Sequence, residues 1–239
     1  MKLGLTILAL LCGFSSAKAQ QWQSSYQQTE LIELFTSEGC SSCPKADQWL
    51  SSLKDDPSLF KSFVPIAFHV DYWDYIGWED RFARPEFSQR QRRYDREKLI
   101  SQVYTPGIII NSQEWRAWFR GATQWPDSSS PTGRLTANLQ GDHLHVTFEQ
   151  DQTYNLYVAY LGMGLETARV NAGENKGRTL RHDFVVMSMQ SVKGNRDWRL
   201  KLLPPPDIGQ QQTALALWIS LPNSQQVIQA LGGYLQSSE

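Results

Sequence analysis

Residues 31–47 of the chain read LIELFTSEGCSSCPKAD and contain two structural signals in succession. Residues 31–36 form an apolar run that is typical of a buried strand. From residue 44 to residue 53, apolar residues recur at the spacing of an amphipathic helix. Cys40 and Cys43 lie at the junction of these two elements. A Cys-x-x-Cys pair between a strand and a helix indicates thiol–disulfide chemistry.

The position of each cysteine predicts its role. Cys40 precedes the first helical turn, where free backbone N–H groups and the helix dipole stabilise a thiolate. Cys43 lies one turn inside and is shielded, so we expect Cys40 to attack and Cys43 to resolve the mixed disulfide. Pro44 fits this turn, because the N–H that it lacks would have no partner there. The same spacing also allows an inert local disulfide or half of a zinc site.

The first half of the chain alternates strand and helix patterns. After the first strand and helix come a strand at 64–70, a helix around 87–99, a strand at 107–111 and a strand at 114–119 that pairs with it. This order predicts an α/β domain over residues 20–126, with helices covering its sheet.

The second half changes character after a turn-rich stretch of proline, serine and glycine, which predicts a linker over residues 127–133. Short alternating segments follow at 135–140, 143–149, 154–161, 179–189, 198–202 and 213–220. They predict an all-β, sandwich-like domain over residues 134–239. Periodicity leaves the closing segment, 224–235, open between a strand and a short helix.

The N-terminus, residues 1–19, has the features of a secretory signal peptide: Lys2, an apolar run over residues 3–14, and the small-x-small pattern that ends at Ala19. The run is too short to span a bilayer, so we expect a periplasmic or secreted protein without a membrane span. A lipid anchor on Cys12 is the alternative. Cleavage leaves Cys40 and Cys43 as the only cysteines, which excludes a framework of structural disulfides.

Charge excludes one class of partner. The formal net charge is −1, which provides no basic surface for nucleic acid. The sequence gives no reason to expect a cofactor or a metal site, since Cys40 and Cys43 have no second ligand pair nearby.

Three further segments carry competing interpretations. Glu33, in the strand before the motif, is either a general base for the resolving thiol or a paired acid. The aromatic and acidic segment 69–78 either lines a peptide-binding groove or packs under the next helix. The basic stretch 81–98 predicts a solvated helix face, with an anion site as the alternative.

A second motif supports the redox interpretation. Thr105-Pro106 precedes the strand at 107–111, and with Cys40 and Cys43 it resembles the thioredoxin superfamily. That resemblance implies a cis-proline against the active-site disulfide and client backbone pairing beside Thr105 and Pro106. The strings ELFTSEGCSSCPKAD, HVDYWDYIGW, VYTP and GENKGRTLRH more narrowly resemble an exported bacterial family, domain-of-unknown-function family 1223. This family implies a fold and a compartment but no established substrate.

We therefore expect an exported thiol–disulfide oxidoreductase with Cys40 and Cys43 as catalytic residues and Thr105 and Pro106 as substrate-binding residues. Its partners would be a protein or small thiol or disulfide client and an unidentified redox partner. The neutral Ser41-Ser42 dipeptide leaves the direction of electron flow open. A non-catalytic binding module with a structural disulfide and a copper-handling protein that binds Cu(I) through both thiolates are the alternatives.

Overall fold

The computed structural model describes residues 19–127 and 130–236, and within them the chain is mixed α/β, with many strands and two α-helices. Residues 1–18 of the predicted signal peptide and residues 128 and 129 of the predicted linker lie outside the described residues. No helix in the described segments is long and apolar enough to cross a membrane.

The elements follow one another along the chain with these bounds. The strands are β1 (Gln20–Gln23), β2 (Glu30–Thr36), β3 (Phe63–His69), β4 (Gly107–Ile110), β5 (Gln113–Glu114), β6 (Leu135–Gln140), β7 (His143–Phe148), β8 (Tyr154–Met163), β9 (Leu165–Thr167), β10 (Leu180–His182), β11 (Val185–Gly194), β12 (Asp197–Lys201), β13 (Gln212–Ser220) and β14 (Val227–Tyr234). The helices are α1 (Cys43–Ser52) and α2 (Pro85–Arg96), and 3-10 turns occur at Leu53–Asp55, Asp74–Ile76 and Ala117–Arg120.

One long sheet joins the two halves of the chain. Its eight strands lie in the order β14-β13-β8-β11-β3-β2-β4-β5, and β11 meets β3 in parallel at Val185 and Ala67. A second sheet, β1-β6-β7-β12, shares an apolar core with β8 and β13, as in a sandwich. The predicted linker at residues 127–133 therefore lies between two parts of the chain whose strands join in one hydrogen-bonded sheet.

Helices α1 and α2 lie on opposite faces of the long sheet at β2. Side chains alternate along a strand, so Glu33 and Phe35 share one face while Thr36 points to the other. The Phe35 ring meets the ring of Tyr94 in α2 at a centroid distance of 6.3 Å. Thr36 lies beside Asp47 of α1. Because α1 begins just after β2 ends, the Cys-x-x-Cys segment lies at the carboxyl edge of this strand.

The structure confirms the predicted elements around the motif and corrects two strands. The predicted strand at 114–119 is wrong, because β5 ends at Glu114 and residues 117–120 form a 3-10 turn. The predicted strand at 179–189 is two strands, interrupted at Phe184, whose φ of 58° cannot continue a strand. The closing segment is a strand, β14, and it pairs with β13.

Candidate functional site

Cys40 and Cys43 form a disulfide at the start of α1, with their Cα atoms 5.4 Å apart. The backbone N–H of Cys43 donates to the Cys40 carbonyl at 3.2 Å, which closes the turn between them. Ser41 and Ser42 between them are exposed. The cysteines are not: Cys40 is 1% exposed and Cys43 is 0% exposed. The pair therefore has the predicted position, but both sulfurs are closed to solvent.

Trp73 connects this pair to the second predicted motif. The Thr105–Pro106 peptide bond is cis. Trp73 Nε1 donates a hydrogen bond of 2.7 Å to Thr105 Oγ1. On its other side, Trp73 Cβ lies 3.0 Å from where a Cβ on Gly39 would be, so a larger residue beside Cys40 would crowd Trp73. The segment 69–78 thus packs between the two motifs.

A cluster of buried titratable groups lies on the α1 side of the sheet, and the sequence alone did not predict it. His69 Nδ1 is 2.7 Å from Asp80 Oδ2. His182 Nε2 is 3.1 Å from Glu38 Oε1, and His182 Nδ1 is 3.8 Å from Asp47 Oδ2. The two imidazole rings are 4.9 Å apart. Two histidines and three acids thus share one desolvated volume beside the disulfide loop.

Burial and neighbouring charges shift the pKa values of these groups in different directions. Burial raises the pKa of Asp47 above its ordinary value, and nearby His182 and His69 only partly offset this. Burial would also raise the pKa of Asp80, but the charge and hydrogen bond of His69 lower it. For His69 both effects have the opposite sign: burial would lower the pKa, but Asp80 raises it. The pKa shifts of His69 and Asp80 thus both favour the charged forms, whereas the pKa shift of Asp47 favours its protonated form.

Asp47 is the member of this cluster that shares helix α1 with Cys43. It lies four residues after Cys43 in α1, so both side chains are on the same helix face, with a usual Cβ separation of about 5–6 Å. That spacing is the sequence signal that could have identified Asp47. His182 comes from β10, which packs against α1, and no local pattern indicates it.

The structure resolves the two interpretations of Glu33 in favour of a paired acid. Its carboxylate accepts a hydrogen bond of 2.6 Å from Arg90 Nε and another from the Tyr94 hydroxyl. All three side chains are buried and lie on the α2 side of the sheet, away from α1. Arg90 also departs from the predicted solvated helix face, because it is 1% exposed and donates to Gln225 Oε1 at 2.8 Å.

A loop from the second half of the chain is hydrogen-bonded to the segment that carries Cys40. We call residues 170–178 the strap; it lies at the tip of the β9–β10 hairpin. Asn175, 0% exposed, donates from Nδ2 to the carbonyls of Glu38 at 2.8 Å and Cys40 at 2.9 Å. Glu174 Oε2 accepts a hydrogen bond of 2.9 Å from the backbone N–H of Ser41. The strap therefore holds the loop that carries Cys40 through its backbone.

No group of three or more His, Cys, Asp or Glu side chains in residues 19–127 and 130–236 is arranged to hold a metal ion. The fold and the site define a mostly β, mixed α/β protein with a buried disulfide at a helix N-terminus.

Comparison with known families makes the assignment narrower. The family described as "Protein of unknown function (DUF1223)" matches residues 31–220, and the chain belongs to this family. The X-ray crystal structure of protein AGR_C_4864 from Agrobacterium tumefaciens is similar over 87% of this chain and 94% of that chain, with a TM-score of 0.62 and 23% identity. HBP35 of Porphyromonas gingivalis is similar over 89% of this chain and 76% of that chain, with a TM-score of 0.52 and 13% identity. At these identities the likeness shows the fold alone. No curated protein matches the chain.

Proposed function

We propose that this protein is an exported thiol–disulfide oxidoreductase whose first half is a thioredoxin-like domain and whose redox pair is Cys40 and Cys43. One observation carries the proposal: the two cysteines form a disulfide at the N-terminus of α1, immediately after a central strand. This is where a helix stabilises a thiolate, and Cys43, the first residue of α1, is shielded by full burial. The signal-peptide pattern of residues 1–19 supports a periplasmic or secreted location.

In the proposed reaction, a client thiolate attacks Cys40 Sγ and expels the Cys43 thiolate, giving a mixed disulfide. A second client thiolate attacks the client sulfur of that bond, so that the client leaves as a disulfide and Cys40 leaves as a thiolate. Two electrons pass from the client to the cysteine pair. The reverse sequence oxidises the pair and reduces the client, and the neutral Ser41 and Ser42 favour neither direction.

Asp47 is suited to manage the proton of Cys43 in this reaction. Burial raises the pKa of the Asp47 carboxyl, so it can give a proton to the Cys43 thiolate when that sulfur is expelled. In the reverse direction the ionised carboxylate accepts the Cys43 proton, and His182, 3.8 Å away, stabilises the charge. This replaces Glu33 in the general-base role.

Thr105 and Pro106 are the proposed contact for client backbone. The bond between them is cis, and the hydrogen bond from Trp73 fixes the Thr105 hydroxyl. A proline has no N–H, so an extended client would pair with the half-buried Thr105 backbone, whereas Pro106 itself is buried.

Burial of both sulfurs favours a second candidate: a non-catalytic binding module in which the disulfide is structural. The reduction potential of the Cys40–Cys43 couple separates the two. Residues 20–239 would be equilibrated against glutathione buffers and the free thiols counted. A potential between about −120 and −270 mV, the range of working oxidoreductases, is expected for exchange chemistry. A potential below about −300 mV would refute the proposed function and support the binding module.

A further inference from the structure

We propose that the strap, residues 170–178, is a cover that must leave the disulfide before any thiol reaches Cys40, and that Asn175 is its latch. The proposal rests on the proposed function for its purpose, but the covering itself is tested by the chemistry of the disulfide alone. It also gives a role to GENKGRTLRH, the motif that the redox reaction leaves unused.

The first argument is the contrast in exposure within one short loop. Ser41 and Ser42 face solvent, whereas Cys40 is almost fully covered. The strap lies against this loop, since Asn175 hydrogen-bonds to the Cys40 carbonyl itself. An attacking thiolate must approach Cys40 Sγ directly, so exchange requires this cover to move.

The second argument is that Asn175 is held in place by the strap itself. Arg178 Nη1 donates to Asn175 Oδ1 at 2.9 Å, which orients the amide so that Nδ2 faces the disulfide loop. Two backbone hydrogen bonds join the two ends of the strap. The Gly177 N–H donates to the Val170 carbonyl at 2.7 Å, and the Val170 N–H donates to the Arg178 carbonyl at 2.9 Å. The strap can therefore swing as a unit without losing its own shape.

The third argument is the small number and the kind of contacts that keep the strap closed. Besides the bonds of Asn175, the strap contributes the Glu174 contact to Ser41 and apolar approaches of Gly173 to Ile76 and Trp78 and of Ala172 to Gly77. Its fully buried apolar side chain, Val170, lies at its base, where the strap joins the hairpin. A segment with few buried apolar contacts opens locally, with a free energy below that of global unfolding. A client that offers its own backbone groups to this loop would replace the bonds that opening breaks.

The test is the rate at which dithiothreitol reduces the disulfide in the folded protein. One dithiothreitol thiolate attacks Cys40 Sγ and expels the Cys43 thiolate. The second thiol then closes the dithiothreitol ring and leaves both cysteines reduced. Asn175→Ala removes two buried hydrogen bonds, so the open population and the rate should rise about tenfold or more. Asn171→Ala is the matched control, an exposed asparagine in the same strap, and should reduce at the wild-type rate.

Two further measurements keep the result decisive. Glu174→Gln removes an exposed charge and keeps the side-chain shape, so it should fold normally and speed reduction only about twofold. For the wild type, the rate should level off at high dithiothreitol concentration, because strap opening becomes limiting. A linear dependence, with Asn175→Ala no faster than Asn171→Ala, would overturn the proposal. Reduction by dithiothreitol does not depend on a client, so these rates test the strap independently of the proposed function. A low reduction potential would refute the proposed function, and the strap would still be tested by the reduction rates.

Discussion

Replacing Glu33 by Gln tests whether the buried carboxylate of β2 is structural or catalytic. In the wild type, burial would lower the pKa of Arg90, but the Glu33 carboxylate raises it, so the guanidinium stays charged. Glu33→Gln leaves that charge 1% exposed, with only neutral partners such as Gln225 and the Tyr94 hydroxyl. Four aromatic rings lie around the guanidinium carbon at 5.1 to 5.4 Å, and they offer no carboxylate that could replace Glu33.

Breaking a buried ion pair by removing one partner destabilises a protein by about 3–5 kcal/mol. With a urea m-value of about 2 kcal/mol/M, this loss lowers the unfolding midpoint by roughly 2 M. Urea titration followed by tryptophan fluorescence at pH 7 measures it. The double variant Glu33→Leu with Arg90→Leu is the control, because replacing both charges by apolar groups is often neutral or stabilising.

The same variant also reports on catalysis. A general base contributes about 10²–10⁴-fold to a rate, so a catalytic Glu33 would show that loss in folded Glu33→Gln protein below the urea transition. We expect disulfide exchange per folded molecule within about twofold of the wild type, because the carboxylate lies on the α2 side of the sheet. A midpoint shift under about 0.5 M, or a hundredfold loss of exchange, would refute the structural assignment.

Two further predictions concern the α1 side of the sheet. If Cys40 attacks and Cys43 resolves, then Cys43→Ala accumulates mixed disulfides with thiol clients and Cys40→Ala accumulates none. Non-reducing gel electrophoresis after acid quenching measures the difference, and equal trapping by both variants would contradict the assignment. Asp47→Asn should stabilise the protein at pH 7, because burial raises the pKa of Asp47 above its unfolded value of about 3.9, so ionisation favours the unfolded chain as the pH rises. That gain in stability should shrink as the pH falls towards about 3.9, where the unfolded aspartate also takes up its proton. Urea midpoints at pH 7 and pH 4.5 give the comparison. An Asp47→Asn protein less stable than the wild type at pH 7 would contradict this prediction.

Local sequence patterns predicted the elements that carry the disulfide. An apolar run followed by helical periodicity fixed β2 and α1 to within about a residue or two, because each signal depends only on near neighbours. The same reasoning found Cys40 and Cys43, whereas the cis Thr105–Pro106 bond was expected only from the resemblance to the thioredoxin superfamily. These parts of the site lie in short, strongly patterned stretches.

The parts that sequence reasoning missed depend on distant pairing. Arg90 looks like one of several solvated arginines, and only the folded sheet shows that Glu33 lies beneath it. His182 meets Glu38 across 144 positions of sequence, through a β10 strand whose neighbours no periodicity reveals. Strand patterns give the period of a strand but not its partner, so they could not show that β11 would extend the sheet of β3.

The covered disulfide and the proposed exchange chemistry are compatible because the cover and the core are held differently. The ion pair of Glu33 and Arg90 is enclosed by apolar side chains and can open only with the fold around it. The strap is held to the disulfide loop mainly by the hydrogen bonds that Asn175 donates and the one that Glu174 accepts, and most of its other residues face solvent. Local opening therefore requires far less free energy than unfolding. Since the strap grows from a hairpin whose β10 strand packs on α1, the second half of the chain positions the cover of a site that the first half builds.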